Sequence, residues 1–183
     1  MIQMRNVAPG IELQIYDGLS DTVISKVIDG EVDIGLVDRP MGNSALTYHD
    51  LVHDQVGLVC RSDDPLAQIK RPDWTVFATR PFISMAVGSS VRNLIDAAFL
   101  QAHLSIKPLY EPAFLATVGA LVATHAGITA LPKLAAQGLQ QEGIIWRPLH
   151  NPTIIRSSGC ILRSDREPQP AIAVLLDLLK KAV

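Results

Sequence analysis

Two adjacent serines, Ser89-Ser90, follow an apolar run and Gly88, and they open a stretch with helical apolar spacing. A helix start gathers free N–H groups and the positive end of the helix dipole, so an anion could sit there. The same serines could simply cap the helix, which takes one hydroxyl and no ligand. Ser20 carries the same two readings. Arg39, just past a strand, could grip a carboxylate through two hydrogen bonds, or be an ordinary surface arginine. Met85 either lines a ligand site or fills core. His49-Asp50-Leu51-Val52-His53-Asp54 is the string most like a metal site. On a strand, His49 and His53 share a face but stand ~13 Å apart at ~3.3 Å per residue. Zinc bonds of ~2.1 Å need ligands far closer, so a solvated edge strand is the reading and no metal is expected. No Gly-x-Ser-x-Gly elbow occurs, and no spacing selects a Ser-His-Asp triad. Neither Gly-x-Gly-x-x-Gly nor a Walker lysine loop is present. An enzyme and a cofactor are therefore not expected.

These groups stand in a chain of 183 residues, long enough for one large domain or two small lobes with real cores. Apolar residues are 48% and charged residues 19%, an ordinary globular balance. The net charge is −2 and the longest basic run is Lys180-Lys181, which gives no electrostatic reason to expect nucleic acid or a membrane surface as a partner. Cys60 and Cys160 form no Cys-x-x-Cys, in keeping with a reducing, cytoplasmic setting. The first residues lack the apolar core of a signal peptide, and no run approaches ~18 apolar residues.

The elements that must position these residues follow from periodicity. Ile11 to Ile15 alternates as a strand; Leu19, Val23, Ile24, Val27 and Ile28 share a helical face; Gly30 ends that helix; Val32, Ile34 and Leu36 alternate again. This reads as a βαβ unit with parallel strands, whose carboxyl ends, Asp17-Gly18-Leu19-Ser20 and Val37-Asp38-Arg39, are where open α/β sheets bind ligands. A turn is expected at Met41-Gly42-Asn43-Ser44, then strands Leu46 to His53 and Gln55 to Arg61, broken near Asp54. Phe82 to Met85 reads as a strand. Val91, Leu94, Ile95, Ala98, Phe99 and Ala102 face one way on a helix capped by Ser89 or Ser90. Ile106 to Tyr110 is a strand, Phe114 to Thr124 a helix, Gly127 to Leu131 a buried strand, Lys133 to Gly138 a short helix and Ile144 to Trp146 a strand. Ile154 to Leu162 is a strand, and a helix with face Ile172, Leu175, Leu176 and Leu179 closes the chain. Arg61-Ser62-Asp63 and Arg163-Ser164-Asp165 end two strands alike, which suggests neighbouring edges.

Two lobes are expected, residues 1–75 with 153–183 and residues 79–150. The chain would cross between them near Thr79-Arg80-Pro81 and near Pro148-Leu149-His150. Two crossings make a hinge, and a cleft at such a hinge is a natural ligand site.

Several segments together resemble one family. Pro9-Gly10-Ile11-Glu12-Leu13-Gln14-Ile15-Tyr16-Asp17-Gly18 followed by Gly30-Glu31-Val32-Asp33-Ile34-Gly35-Leu36 is similar to the effector-binding domain of LysR-type transcriptional regulators. So are Leu58-Val59-Cys60-Arg61-Ser62-Asp63-Asp64-Pro65-Leu66-Ala67 and Val122-Ala123-Thr124-His125-Ala126-Gly127-Ile128-Thr129-Ala130-Leu131-Pro132. The resemblance implies an α/β, two-lobed, type 2 periplasmic-binding-protein-like fold with mixed sheets flanked by helices. It implies a small effector, commonly an organic acid, held between the lobes. By position, effector contacts would fall on Gly18, Leu19 and Ser20, on Val37, Asp38 and Arg39, and on Ser84 and Met85. The helix start at Ser89-Ser90 and the turn at Gly127-Ile128 would complete the site. It also implies a homodimer in the full-length regulator, with DNA bound only through a helix-turn-helix domain that this sequence does not contain.

The sequence departs from the family pattern in two further ways. The first strand of the first lobe, and most of the helix after it, would precede Pro9, with only Met1 to Ala8 standing for the end of that helix. His125 replaces the first glycine of the family's glycine pair, where a left-handed backbone is usual and His adopts it at a cost. The rival reading is a solute-binding protein of a transport system with the same fold.

Overall fold

The structure, a computed structural model, describes residues 2–40, 42, 44–139 and 141–181. Met41 and Asn43 of the expected turn lie outside the described residues. In chain order the elements are helix α1 (Ile2–Val7), helix α2 (Ser20–Asp29), strand β1 (Gly35–Asp38), strand β2 (Leu46–Arg61), strand β3 (Phe82–Ile83) and helix α3 (Ser90–Gln101). Helix α4 (Leu115–Ala123), strand β4 (Ile128–Pro132), helix α5 (Lys133–Gln137), strand β5 (Ile144–Pro148), strand β6 (Ile155–Arg163) and helix α6 (Pro170–Lys181) follow. Short 3-10 turns span Pro65–Gln68 and Trp74–Ala78. The chain divides into two units, one of residues 1–53 with 157–183, the other of residues 54–156.

In the first unit the strands run in the order β1-β6-β2. β1 and β6 are antiparallel, with Leu36 opposite Cys160 and Val37 opposite Gly159. The two sheet faces bury separate clusters. Val27, Val37 and Ile161 pack with Val23 and Ile24 of α2 on one. Cys160, Leu162 and Leu176 pack with Ile34, Ile172 and Leu179 on the other, so the predicted apolar stripe of α6 is the one it uses. Each fully buried side chain of this kind stabilises the fold by about 1.5–3 kcal/mol.

The expected βαβ unit is not there. Ile11 to Ile15 forms no strand, and β1 pairs antiparallel with β6. Alternation alone does not make a strand; a hydrogen-bonding partner is needed too, and none of the described residues supplies one. Ile15 accordingly stays 76% exposed. Leu36 is also exposed, because Gly35 and Val37, one step along the pleat, are the inward pair.

In the second unit β2 pairs antiparallel with β4 and with β5, while β3 runs parallel to β4 with Ile83 opposite Thr129. β3 is short, and Ile106 to Tyr110 is not a strand beyond one bridge, Ile83 to Tyr110. α3 lies on one face, where Trp74, Phe77, Phe82 and Phe99 interlock with ring centroids 5.2–5.9 Å apart. α4 covers the other face through Val118 and Val122, against Val59, Ile83 and Leu131.

No break occurs at Asp54: β2 is one strand of 16 residues. Asp54 is buried, and its carboxylate accepts Nε and Nη2 of Arg156 at 2.9 and 3.1 Å and the Leu134 amide at 2.9 Å. Long-range partners, invisible in local sequence, let a charged residue sit mid-strand. The twin Arg-Ser-Asp ends do share one geometry. Arg61 forks onto Asp63 and Arg163 onto Asp165. They lie in different units, and the likeness is one of local chemistry.

Candidate functional site

In the second unit, the chain leaves β3 through Ser84, Met85 and Ala86 and turns at Gly88 (φ 90°) into α3. A neighbouring segment runs beside it: the Leu109 amide donates to the Phe82 carbonyl at 2.8 Å, Ser84 to Tyr110 at 3.0 Å and Ala86 to Pro112 at 3.0 Å. That segment then enters α4. Two helix starts therefore flank one short hydrogen-bonded ribbon. Ser89 occupies the N-cap position of α3 and Phe114 that of α4, and neither side chain makes a capping hydrogen bond. No side chain at either N-cap therefore serves the first-turn amides, though at α4 the Thr117 amide donates to the Phe114 carbonyl at 3.0 Å.

Ser84 is 2% exposed, and its hydroxyl has no hydrogen-bond partner among the described residues. A buried hydroxyl without a partner costs about 1–3 kcal/mol, so such a group calls for an explanation. Alternation puts Ser84 on the face of Phe82, which α3 covers through Phe99 at 5.2 Å between ring centroids. Met85 falls on the other face, packed with the α4 cluster.

Arg92, in the first turn of α3, ties the surroundings down. Its guanidinium pairs with Asp96 at 2.7 Å and Glu111 at 3.3 Å and reaches the Met85 carbonyl at 3.4 Å. Those carboxylates hold the guanidinium above its usual range, Asp96 contributing most. The i to i+4 Arg92–Asp96 spacing was open to view in the sequence; the reach to Glu111 was not. Gly127 and Ile128 lie at the opposite, entry end of the parallel β3–β4 pair, where the Ile128 amide bonds to Pro81 at 2.9 Å. A Cβ on Gly127 would stand 2.5 Å from the Pro81 oxygen, so close backbone packing explains this glycine. Ser84, Ser89 and Ser90 lie on the stretch of chain that joins β3 to α3, and Gly127 and Ile128 at the entry end of the β3–β4 pair.

In the first unit, Leu19 and not Ser20 is the N-cap of α2; Ser20 is its first helical residue. Gly18 is packed under Tyr16, 2.8 Å from the ring for an added Cβ. At the end of β1, Asp38 accepts the Ser158 hydroxyl. The Arg39 amide donates to the Ser157 carbonyl at 3.0 Å. Its guanidinium bonds Asp50 at 2.9 Å and lies over the Tyr48 ring, 4.7 Å from the centroid. Ser157 donates to Asp50 at 2.8 Å and contacts the Tyr48 hydroxyl at 3.1 Å. The Ser157 hydrogen bond, then Arg39, hold the Asp50 carboxyl below its usual range against the opposing effect of burial. Arg39 thus already holds a carboxylate, that of its own chain, while its side chain stays 60% exposed.

Other chemistry is scarce. Both thiols are buried, and burial pushes each up to about 11, the reverse of a reactive cysteine. Among the described residues, no cluster of His, Cys, Asp and Glu is set to hold a metal ion. No helix of the described residues is long and apolar enough to cross a membrane. A surface depression of about 290 Å³ lies elsewhere on the second unit, beside Lys133, Leu139, Ile144 and Trp146.

The arrangement of strands and helices is that of LysR effector-binding domains, a type 2 periplasmic-binding-protein-like fold. The Synechocystis PCC6803 CcmR regulatory domain, solved in complex with 2-PG, matches with a TM-score of 0.88 at 18% identity, over 98% of this chain and 87% of that one. The effector-binding domain of QuiR in complex with shikimate matches at 0.86 and 17% identity, over 99% and 87%. The BenM effector-binding domain with its effector benzoate gives 0.86 and 17%, over 99% and 82%. The chain belongs to the LysR substrate binding domain family, whose profile matches residues 1–183. The uncharacterized HTH-type transcriptional regulator YbhD of Escherichia coli (strain K12) is 30% identical over 177 residues, 97% of this chain and 56% of that protein. The regulator BbuR of Bordetella bronchiseptica is 26% identical over 148 residues, 75% of this chain and 46% of its own length. The chain thus spans about half the length of the curated relatives it matches. It is an effector-binding regulatory domain of the LysR type, and the family is one of non-enzymatic transcription regulators.

Proposed function

We propose that this domain senses a small organic anion, that the strand end and helix start at Ser84, Ser89 and Ser90 hold its charged group, and that Met85 is a further effector contact. The observation that carries the reading is the buried Ser84 hydroxyl, which lacks a partner beside helix starts that no side chain caps. An anion accepts hydrogen bonds from such a hydroxyl and from first-turn amides, and is favoured by the helix dipole. Relatives of the same fold support the choice, since shikimate and benzoate are both carboxylates. In the first unit, Gly18, Leu19 and Ser20 and Val37, Asp38 and Arg39 are proposed as further effector contacts; Gly127 and Ile128 serve as scaffold.

In the whole regulator, an effector that binds one arrangement of the protein more tightly than another shifts the balance between them by that difference. We place that readout in the cytoplasm, on a homodimer that contacts DNA through a helix-turn-helix segment outside this chain.

A thermal-shift screen of small carboxylates, with cations and neutral sugars beside them, tests the reading. Stabilisation by carboxylates that weakens at least tenfold in Ser84→Ala supports it. Stabilisation by cations or sugars, with none by any carboxylate, rules out an anionic effector.

A further inference from the structure

The chain passes between its two units twice, at His53–Asp54 and at Arg156–Ser157. Neither passage is a loop: the first falls inside β2 and the second inside β6. Two such crossings are the kind of link about which paired units swing, since a few φ/ψ changes absorb the motion. How far they swing depends on what holds the strands beside the crossings.

On the second unit's side the hold is tight. Asp54 is the first residue past one crossing and Arg156 the last before the other, and their side chains are 6% and 14% exposed. The guanidinium donates from Nε to one carboxylate oxygen at 2.9 Å and from Nη2 to the other at 3.1 Å. Such a fork fixes orientation as well as distance. The Leu134 amide of α5 donates to Asp54 Oδ2 at 2.9 Å. Just behind the pair, the Val56 amide donates to the Ile154 carbonyl at 2.9 Å and the Gln55 side-chain amide to the Leu149 carbonyl at 2.8 Å. On the first unit's side the ties are thinner. The Ser157 hydroxyl donates to Asp50 at 2.8 Å and lies 3.1 Å from the Tyr48 hydroxyl, and the Asp50 side chain is 34% exposed. Hydrogen bonds open to water hold less firmly than buried ones.

A buried ion pair adds little stability over apolar side chains of the same size, because desolvating two charges offsets their attraction. What it supplies is one fixed geometry, and here that geometry ties both crossings to each other and to α5. We infer that the Asp54–Arg156 pair is the clamp of a hinge: it makes the two strands leave the second unit as one stiff pair, and so limits how far the units of this regulatory domain swing. An effector acts by shifting the balance between arrangements of the protein, and the clamp sets the stiffness against which that shift works. The Leu134 amide carries the same constraint into α5. The inference is independent of where the effector binds.

The test is pulsed dipolar electron resonance on this chain, with nitroxide labels at Asp21→Cys in α2 and Gln101→Cys in α3, both exposed and one in each unit. Cys60 and Cys160 are buried, out of the label's reach. Asp54→Asn, which keeps the size and removes the charge, should broaden the label-to-label distance distribution about twofold or more. Arg156→Lys, which keeps the charge and loses the fork, should broaden it too, and carries the test if Asp54→Asn does not fold. Val118→Ala weakens the core of the same unit without touching the crossings, and should leave the width unchanged. Ser157→Ala should broaden it less than either clamp variant does. An unchanged width in the folded clamp variants would overturn the inference. So would equal broadening in Val118→Ala, which would mean general loosening, or in Ser157→Ala, which would move the clamp to the first unit's side.

Discussion

The Asp54 carboxylate and the Arg156 guanidinium, 102 positions apart in sequence, meet through two hydrogen bonds of 2.9 and 3.1 Å. Both are largely buried, and Asp54 also accepts the Leu134 amide at 2.9 Å. Removing one partner of such a pair leaves a buried charge unmatched. Asp54→Ala should therefore destabilise the domain by roughly 3–5 kcal/mol in chemical denaturation. A loss under about 1 kcal/mol would show that the pair is solvated and weak.

Two helices end on a left-handed histidine. At α4, the His125 amide bonds Val122 at 3.1 Å and Ala126 bonds Leu121 at 3.0 Å, with His125 at φ 61°. At α3, His103 has φ 55° and bonds Leu100 at 3.1 Å, while Leu104 bonds Phe99 at 2.9 Å. This is the Schellman arrangement that glycine usually closes, and α2 closes it with Gly30 at φ 76°. His125→Gly should stabilise by about 0.5–1 kcal/mol, the left-handed penalty less glycine's entropy in the unfolded chain. His125→Ala should give no such gain, and an equal gain would point to the histidine ring instead of the backbone.

Gly57 sits beneath the Trp146 indole, whose N–H donates to the Leu131 carbonyl at 3.1 Å. A Cβ there would fall 2.2 Å from the ring and 2.5 Å from the Arg147 carbonyl oxygen. Gly57→Ala should cost about 1–3 kcal/mol or more through forced movement of the sheet. It should also raise the solvent exposure of Trp146, which its fluorescence would report.

The Asp50 network sets a pH dependence whose sign is fixed. Its folded pKa lies below the ordinary value of 3.8, chiefly through the Ser157 hydrogen bond. A depressed carboxyl stabilises the fold above its unfolded pKa and loses that contribution as pH falls through its folded pKa. Acid unfolding should thus take up the Asp50 proton below pH 3.8. NMR titration of the Asp50 carboxyl in wild type and Ser157→Ala would check this. The midpoint should rise toward the ordinary value in the variant, and an unchanged midpoint would remove Ser157 from the account.

Cys60 and Cys160, both held up to about 11 by burial, should resist alkylation by iodoacetamide at pH 8 in the folded chain and react once it is unfolded. Rapid labelling of either in the native state would show a local opening.

Helices read well from the sequence because their signal is local. The stripe Ile95, Ala98 and Phe99 is the buried face of α3, and Gly30 ends α2 in the conformation it was expected to take. Strands read less well, because they need a partner as well as a pattern. Ile11 to Ile15 has the alternation and no ladder, while β2 crosses Asp54 unbroken since Arg156 and Leu134 satisfy it from afar. The candidate site divides in the same way. The serines at the α3 start were legible from Gly-Ser-Ser before an apolar stripe. The ribbon formed by Ser84 with Tyr110 was not, nor was the self-pairing of Arg39 with Asp50, since both depend on contacts across the fold.

An organic anion is proposed to bind at the end of β3 and the start of α3. Amide chemical-shift mapping of the isotope-labelled chain, titrated with phenylacetate, tests it most directly. Saturable binding is expected, with the largest shifts at Ser84 and at Ser89 to Arg92, and smaller ones at Tyr110 to Leu115. Saturable binding whose largest shifts fall instead around Lys133 and Trp146 would contradict it.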